Sequence, residues 1–184
     1  MNKNKFKGLL LVSILLLSLS IVSFSEADEH RLIDQVAAGQ KLIAENKKLL
    51  LTSAFSESLP DVLADKTEIA RVISNLLDNA IKYTETGEIK LGAVIKNNEI
   101  EVAIKDTGIG IDLSKSNQYL IFERFYQVRT NNQGVGVGLS ICEKIINAHR
   151  GRIWVESEGK GKGSTFKFTL PVHQPGHIDS VAPV

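Results

Sequence analysis

The stretch DKTEIARVISNLLDNAIKYT, residues 65–84, decides the fold because its apolar residues recur at the spacing of one long amphipathic helix. Asp65 can cap the first turn, and Glu68, three residues further on, can reach back to that cap. We predict that the helix ends near Thr84, before Gly87. Its apolar stripe consists of Ile69, Val72, Ile73, Leu76, Leu77, Ala80 and Ile81.

Three polar residues share the face of this helix that lies opposite the apolar stripe. Asn75, Asn79 and Lys82 stand at positions i, i+4 and i+7, which a helix brings to one side. An ordinary solvated face is one explanation, although asparagine is a mediocre helix former. A ligand site is the other, because an amide oxygen suits Mg²⁺ and a lysine suits phosphate.

The rest of the chain predicts strands and one further helix around this element. Two alternating segments flank Asn97-Asn98, a dipeptide that tolerates positive φ, and should form a hairpin. Two more, separated by glycines, should pair antiparallel near the C-terminus. We predict strands at 49–55, 88–96, 99–106, 151–158 and 164–170, a helical turn within 113–128, and a helix at 139–148.

Two glycine-bearing loops connect these elements. Asp106 stands at a strand end, and Gly108 and Gly110 after it let backbone approach a ligand closely, so the carboxylate can accept a hydrogen bond from an exocyclic amine. The run GVGVG, residues 134–138, leads into a helix and can present N–H groups to an anion, or can be an ordinary flexible turn. It matches neither a GxxxxGK[ST] phosphate loop nor a dinucleotide fingerprint.

The order of five motifs resembles the catalytic ATP-binding domain of bacterial sensor histidine kinases. They are NLLDNAIKYT (75–84), DTGIGID (106–112), IFERFYQV (121–128), GVGVGLS (134–140) and GKGSTF (161–166), and the resemblance covers nearly all of residues 49–172. It implies an α/β two-layer sandwich, in which a mixed β-sheet is covered on one face by helices. It also implies that ATP lies between the long helix and a mobile lid.

The resemblance implies a role for each motif residue. Asn79 resembles the magnesium ligand, Asn75 the asparagine one turn before it, Lys82 a phosphate contact, and Asp106 the aspartate that reads adenine. Asn75 and Lys82 are the two residues expected to act in catalysis. The further expected nucleotide contacts are Tyr83 beside the nucleotide, Gly108, Gly110 and Thr165 around Asp106, Phe122 and Arg124 at the lid, Gly134, Gly136 and Gly138 at its phosphate side, and Leu139 and Ser140 at the start of the next helix.

Asn75 separates two kinds of activity within the broader family. Gyrase-type topoisomerases, heat-shock chaperones and mismatch-repair proteins typically carry a glutamate at this position as a general base. The neutral amide of Asn75 cannot take a proton near pH 7, so hydrolysis is not expected. We expect transfer of the γ-phosphoryl group to a histidine that brings its own basicity. The alternative is a nucleotide-binding regulatory module or a truncated remnant without kinase activity of its own.

No histidine of the chain has the H-[ED]-L-[RK]-T-P context of a phosphoacceptor. His30 lies in EADEHRLID, His149 lies in NAHRGR at the end of a predicted helix, and His173 and His177 lie in the tail. We therefore expect the acceptor on a helical hairpin domain that acts in trans or is missing from this chain, with a response-regulator receiver downstream. The net charge of +1 does not favour nucleic acid as a partner.

The N-terminal residues form a membrane-targeting pattern. Three lysines precede the weakly polar run at 8–24, GLLLVSILLLSLSIVSF, and acidic residues come after it. A signal peptide and a short membrane anchor both fit residues 1–29. The charge pattern would export the chain beyond this run, but ATP is cytosolic, so we expect the domain on the cytoplasmic face of the inner membrane.

Two segments flank the predicted catalytic domain at 49–172. Residues 30–48 are predicted to form a linker or short helix, because Leu32, Ile33, Val36, Leu42 and Ile43 recur in a loosely helical period that Gly39 interrupts. The tail at 173–184 has no periodicity, and we expect it to be disordered.

Overall fold

The computed structural model describes residues 22–23, 26–55, 59–60, 62–113, 118–124 and 136–173. Within these ranges the helices are α1 (Glu26–Asn46), α2 (Lys66–Tyr83) and α3 (Gly138–Ala148), with a 3₁₀ helix at Gln118–Phe122. The strands are β1 (Val22–Ser23), β2 (Leu49–Phe55), β3 (Leu63–Ala64), β4 (Gly87–Lys96), β5 (Glu99–Asp106), β6 (Ile153–Glu156) and β7 (Ser164–Pro171).

Five of these strands form one mixed sheet in the order β2-β4-β5-β7-β6. β2 runs parallel to β4, and the other neighbours are antiparallel. The predicted hairpin is confirmed: β4 and β5 are joined at Asn97 and Asn98, whose φ angles of 52° and 62° are both positive, as a tight hairpin turn requires. β1 and β3 form a separate short antiparallel pair.

The helices cover one face of this sheet, as predicted. Ile89 and Leu91 of β4 and Val102 and Ile104 of β5 are buried on that face, under the apolar stripe of α2. The opposite face carries charged side chains, among them Lys167, which pairs with Glu156 at 2.7 Å. The architecture is therefore a two-layer α/β sandwich with its core between the sheet and the helices.

Helix α2 has the bounds that its sequence pattern predicts. Asp65 caps it, because its Oδ1 accepts hydrogen bonds from the N–H groups of Thr67 at 2.8 Å and Glu68 at 3.1 Å. All seven residues of the predicted apolar stripe are buried. The stripe therefore faces the core, and the opposite side of the helix remains partly exposed along its length.

Helix α1 is longer than the short helix or linker predicted for 30–48. It spans 21 residues, begins at Glu26 and packs against α2 and β2. Leu42 and Ile43, counted in the predicted apolar period, are 65% and 52% exposed. The buried face includes Ala37 and Ala44 instead, and alanine gives little hydrophobic signal in a sequence.

His149, at the end of α3, has a structural role. Its Nδ1 lies 2.8 Å from the carbonyl oxygen of Ile145, and its Nε2 accepts the N–H of Asp65 at 2.9 Å. An Nε2 that accepts carries no proton, so the ring is neutral and protonated at Nδ1. His149 thus joins the end of α3 to the start of α2.

Several predicted features fall outside the described residues. The apolar run at 8–24 does so except for Val22 and Ser23, which pair with Ala64 and Leu63 in β1 and β3. Most of the predicted lid, residues 125–135 with Gly134, and the tail from 174 onward are likewise not described. No helix in the described part of the chain is long and apolar enough to cross a membrane.

Candidate functional site

Four segments meet at the C-terminal half of α2. The loop after β5 is tied to the end of α2, because the N–H of Ile109 donates to the carbonyl of Tyr83 at 3.1 Å. The loop between β6 and β7 is tied to it in turn, since the N–H of Gly161 donates to the carbonyl of Ile109 at 2.7 Å. On the other side, a Cβ atom on Gly138 of α3 would lie 3.5 Å from Asn75 Oδ1. The predicted motifs from four elements therefore converge on one region.

Asp106 is the buried acid of this region, with 5% of its surface exposed. Its Oδ1 accepts hydrogen bonds from the N–H groups of Gly108 at 2.8 Å and Ser164 at 3.2 Å. Burial raises the pKa of Asp106 above its ordinary value, and the two hydrogen bonds oppose that rise. The carboxyl group is thus held in one orientation by backbone donors.

Gly108 and Gly110 are required by close packing of backbone around Asp106. A Cβ atom on Gly108 would collide with the carbonyl oxygen of Tyr83 and lie 2.9 Å from Asp106 Oδ1. Gly110 has a φ of +64°, and its Cβ would collide with the carbonyl oxygen of Gly159. These glycines therefore let the loop after β5 pack directly against the end of α2 and the loop after β6.

The structure brings Ser164, and not the predicted Thr165, to Asp106. In the register of β5 with β7, Asp106 pairs with Ser164 and Lys105 pairs with Thr165. Successive residues of a strand face opposite sides of the sheet, so the side chain of Thr165 lies on the face away from Asp106. Ser164 is buried on the same face as the carboxylate.

Ser157 organises the two glycine loops, and the sequence analysis does not single it out. Its hydroxyl donates to the carbonyl of Gly163 at 2.7 Å and accepts the N–H groups of Ile111 at 2.9 Å and Gly159 at 3.3 Å. The hydroxyl therefore holds the loop after β5 against the loop after β6. A serine between charged residues after a strand carries no motif, so only the structure reveals it.

The predicted polar face of α2 is half-buried. Asn75, Asn79, Lys82 and Tyr83 are each intermediate in exposure, and Lys82 Nζ lies 4.9 Å from the centroid of the Tyr83 ring. Asn75 lies beside Cys142, whose thiol donates to the carbonyl oxygen of Val72 at 3.9 Å; burial raises the pKa of this thiol to about 12, and the Asn75 amide lowers it in part. The Asn75 amide thus packs between α2 and α3, and the thiol beside it is protonated and inert.

Helix α3 begins next to this face. Gly136, with a φ of 71°, precedes it, and its N-cap Val137 makes no side-chain capping hydrogen bond. The hydroxyl of Ser140 donates to the carbonyl of Val137 at 2.9 Å, so it is committed to the backbone. Leu139 packs against the core. The first N–H groups of α3 are therefore not capped by the N-cap side chain.

The two residues predicted at the lid differ in position. Phe122, at the end of the 3₁₀ helix, is 3% exposed and belongs to the core. Arg124 is exposed. The predicted lid contacts therefore divide into a buried anchor and a surface cation.

The donor set for a metal ion is small. Within the described ranges, no group of three or more histidine, cysteine or carboxylate side chains is arranged to hold one. Asn79 offers a single amide oxygen. Such a site suits Mg²⁺ only if most of the other ligands are phosphate oxygens and water, which is how this ion is commonly bound beside a nucleotide.

Comparison with known proteins identifies the class of this domain. Residues 64–174 match the model of the histidine kinase-, DNA gyrase B- and HSP90-like ATPases. This match covers more than half of the chain. The chain therefore belongs to this ATPase family.

Its relatives narrow the class to histidine kinases. The adaptive-response sensory kinase SasA of Synechocystis sp. is 48% identical over 132 residues, which cover 70% of this chain and 34% of SasA. Cyanobacterial phytochrome A of Nostoc sp. is 36% identical over 162 residues, 83% of this chain and 21% of the phytochrome. The chain thus spans about a third or less of these relatives.

Solved structures give the same result. The catalytic domain of histidine kinase ThkA has a TM-score of 0.71 at 29% identity, over 83% of this chain and 96% of that domain. Full-length ShkA in complex with AMPPNP has a TM-score of 0.73 at 31% identity, over 84% of this chain and 31% of ShkA. The domain is accordingly the ATP-binding catalytic domain of a sensor histidine kinase.

Proposed function

We propose that this domain binds magnesium-ATP and transfers its γ-phosphoryl group to a histidine on a partner domain. The observation that carries the proposal is the hydrogen bond from Ile109 N–H to the Tyr83 carbonyl. This hydrogen bond joins the loop that contains Asp106, which can bind an adenine base, to the helix that contains Asn79 and Lys82, which can bind phosphate groups. The AMPPNP complex of the related ShkA supports a nucleotide as the ligand.

Asp106 would read the adenine base. Its two hydrogen bonds from Gly108 and Ser164 both go to Oδ1, and the second carboxyl oxygen can accept the exocyclic amine of adenine. A charged acceptor strengthens such a bond. A Cβ atom on Gly108 or Gly110 would collide with a backbone carbonyl oxygen, so these glycines let the loop pack closely and hold the carboxyl group in place.

The polar face of α2 and the start of α3 would take the phosphates. Lys82 supplies a positive charge beside Tyr83, and Asn79 supplies an amide oxygen for Mg²⁺. The ion, when bound, neutralises charge on the phosphate oxygens. The N-terminal turn of α3 presents N–H groups, and Gly136, with its positive φ, directly precedes this turn.

Asn75 favours transfer over hydrolysis. Its amide cannot accept a proton at neutral pH, and it is engaged by Cys142 of α3. The attacking group must therefore be basic by itself, as the neutral imidazole of a histidine is. Its nitrogen forms a bond to the γ-phosphorus, the bond from phosphorus to the bridging oxygen breaks, and ADP leaves with that electron pair.

We propose that the acceptor histidine lies on a helical hairpin domain, either of another chain or of a longer form of this protein. A response-regulator receiver would then accept the phosphoryl group downstream. We further propose that the catalytic domain works in the cytoplasm and that the part of the apolar run before Val22, where β1 begins, tethers it to the inner membrane. The hairpin, the receiver and the tether are implied by the family resemblance and the N-terminal pattern.

The test combines nucleotide binding with phosphoryl transfer. The purified domain is titrated with AMPPNP and magnesium by calorimetry and is then mixed with histidine-hairpin domains and labelled ATP. Acid-labile phosphate on a hairpin is expected. Lys82→Met should reduce both signals, whereas Lys90→Met, on the exposed face of the sheet, should change neither.

The outcomes separate the alternatives. Binding of AMPPNP without acid-labile phosphate on any hairpin would leave a nucleotide-binding regulatory module. Absence of binding would refute the whole proposal. Equal loss in the Lys82 and Lys90 variants would indicate a general charge effect and remove the role assigned to Lys82.

A further inference from the structure

We propose that Lys47 is a positioning residue for the nucleotide site. Its Nζ donates to the carbonyl oxygen of Ile81 at 2.6 Å and to that of Lys82 at 3.1 Å. Lys47 comes directly after α1 and lies outside residues 64–174, the segment that matches the ATPase family. The inference rests on the proposed function, because it concerns the geometry with which α2 presents its polar face.

The two carbonyls that Lys47 contacts belong to the last turn of α2. The final carbonyls of a helix have no partner within the helix and carry the negative end of its dipole. An ammonium group there satisfies two of them at once and is favoured by the dipole. Lys47 thus supplies, from another element, a cap for the end of α2.

The carbonyl of Lys82, which Lys47 caps, is one residue before the carbonyl of Tyr83, which joins α2 to the loop after β5. The chain passes from Lys82 directly to Tyr83, whose carbonyl accepts the N–H of Ile109. Any tilt or fraying of the last turn would move the Lys82 side chain and that carbonyl together. Lys47 therefore acts on both ends of the proposed site, although it need not touch the nucleotide.

The end of α1 is fixed firmly enough to serve as a support. Gln40 Nε2 donates to Asp78 Oδ1 at 3.0 Å, and Ala44 is fully buried. Gln40, Ala44 and Lys47 are spaced four and three residues apart, so they lie along one side. The N–H of Lys47 also continues the helical bonding, donating to the carbonyl of Ala44 at 3.1 Å.

The test uses three variants and two measurements. Lys47→Met keeps the length of the side chain and removes its charge, and Lys47→Arg keeps the charge and the donors. Lys48→Met is the matched control, because Lys48 is the next residue along the chain and is exposed. AMPPNP affinity with magnesium is measured by calorimetry, and amide hydrogen exchange is followed at Thr84 and Ile109, whose N–H groups bond to Ala80 and Tyr83.

We expect Lys47→Met to weaken AMPPNP binding by roughly two- to fivefold, the range for a charge at a helix terminus. It should also speed exchange at Thr84 and Ile109, while Lys47→Arg restores both and Lys48→Met changes neither. If the Lys47 contact only stabilised the fold, Lys47→Met would lower the unfolding midpoint in urea. AMPPNP affinity would not change, and exchange at Thr84 and Ile109 would not become faster than at other amides of α2.

The results distinguish this inference from the proposed function. If the wild type binds AMPPNP and Lys47→Met binds it equally, the inference is refuted and the proposed function stands. If the wild type does not bind, the proposed function fails, and unchanged exchange at Thr84 and Ile109 would refute the positioning role as well. Faster exchange without weaker binding also refutes the inference, because Lys47 would then fix the end of α2 without affecting the nucleotide site.

Discussion

Replacing Asp106 by asparagine should weaken nucleotide binding and stabilise the fold, two effects of opposite sign. The substitution keeps the side-chain size, and the amide oxygen can take over the two hydrogen bonds from Gly108 and Ser164. The amide nitrogen must then occupy the place of the second carboxyl oxygen. Its donor would face the donor of the adenine amine, so a hydrogen bond to a charged acceptor is lost. Binding should weaken by about 1.5 to 3 kcal/mol, or roughly ten- to a hundredfold.

The stability effect follows from the pKa of Asp106. Burial raises this pKa in the folded state above the ordinary value of 3.8, despite the two backbone hydrogen bonds. A carboxyl group whose folded-state pKa is raised stabilises the fold fully below its ordinary pKa, and this contribution is lost as pH rises through the raised value. The wild type should therefore lose stability relative to Asp106→Asn as pH rises from about 4 toward neutrality.

Two measurements on the same pair of proteins check this reasoning. AMPPNP affinity is determined by calorimetry at neutral pH, with and without magnesium, and the base contact predicts the same loss in both. The free energy of unfolding is measured in urea across the pH range. Normal AMPPNP binding by Asp106→Asn would refute the adenine assignment. A wild type that gains stability over the variant as pH rises would refute the account of the buried carboxyl group.

Three further substitutions test other parts of the structure. Asn79→Ala should weaken AMPPNP binding mainly when Mg²⁺ is present, and an equal loss in a chelator would remove its metal role. Ser157→Ala leaves backbone groups of both glycine loops without their side-chain partner and should lower the free energy of unfolding in urea by about 1 to 3 kcal/mol; an unchanged value would refute the role of this hydroxyl in holding the loops. Lys48, with a φ of 60°, should tolerate glycine better than lysine, so Lys48→Gly should stabilise by about 0.5 to 1 kcal/mol. The same change at Lys41, inside α1, should instead destabilise by about 1 kcal/mol, and a loss at both positions would contradict the strain argument.

The elements that the sequence predicts correctly are those whose signals are local. Helix α2 carries a complete apolar stripe and its own cap at Asp65, and all seven stripe residues are buried. The β4–β5 hairpin carries its turn signal in Asn97 and Asn98, which adopt the positive φ angles that the turn requires. In both cases a few neighbouring residues contain all the information that the element needs.

The features that the sequence does not determine are those that depend on distant parts of the chain. Helix α1 buries Ala37 and Ala44 because α2 passes close to it, and this proximity is absent from the α1 sequence. The choice between Ser164 and Thr165 depends on the register of β7 against β5. A shift of one residue would exchange the two side chains between the faces of the sheet, so the strand pattern alone cannot place either one beside Asp106.

The arrangement around Asp106 shows where this fold accepts unfavourable polar burial. Among the described residues, the buried side-chain atoms without a hydrogen-bond partner are Gln40 Oε1 and Thr84 Oγ1. Thr84 Oγ1 lies 2.9 Å from the point where a Cβ on Gly108 would stand, in the same packing as the buried carboxyl group. Burying a charge and an unpaired hydroxyl together lowers stability. A core selected for stability alone would have apolar side chains in place of Asp106 and Thr84. A hydrogen-bond acceptor for adenine that is already fixed in position, however, requires the Asp106 carboxyl group. The penalty at Asp106 therefore falls on the residue that the proposed adenine contact requires, and the scaffold of α2 and the sheet supplies the stability that offsets it.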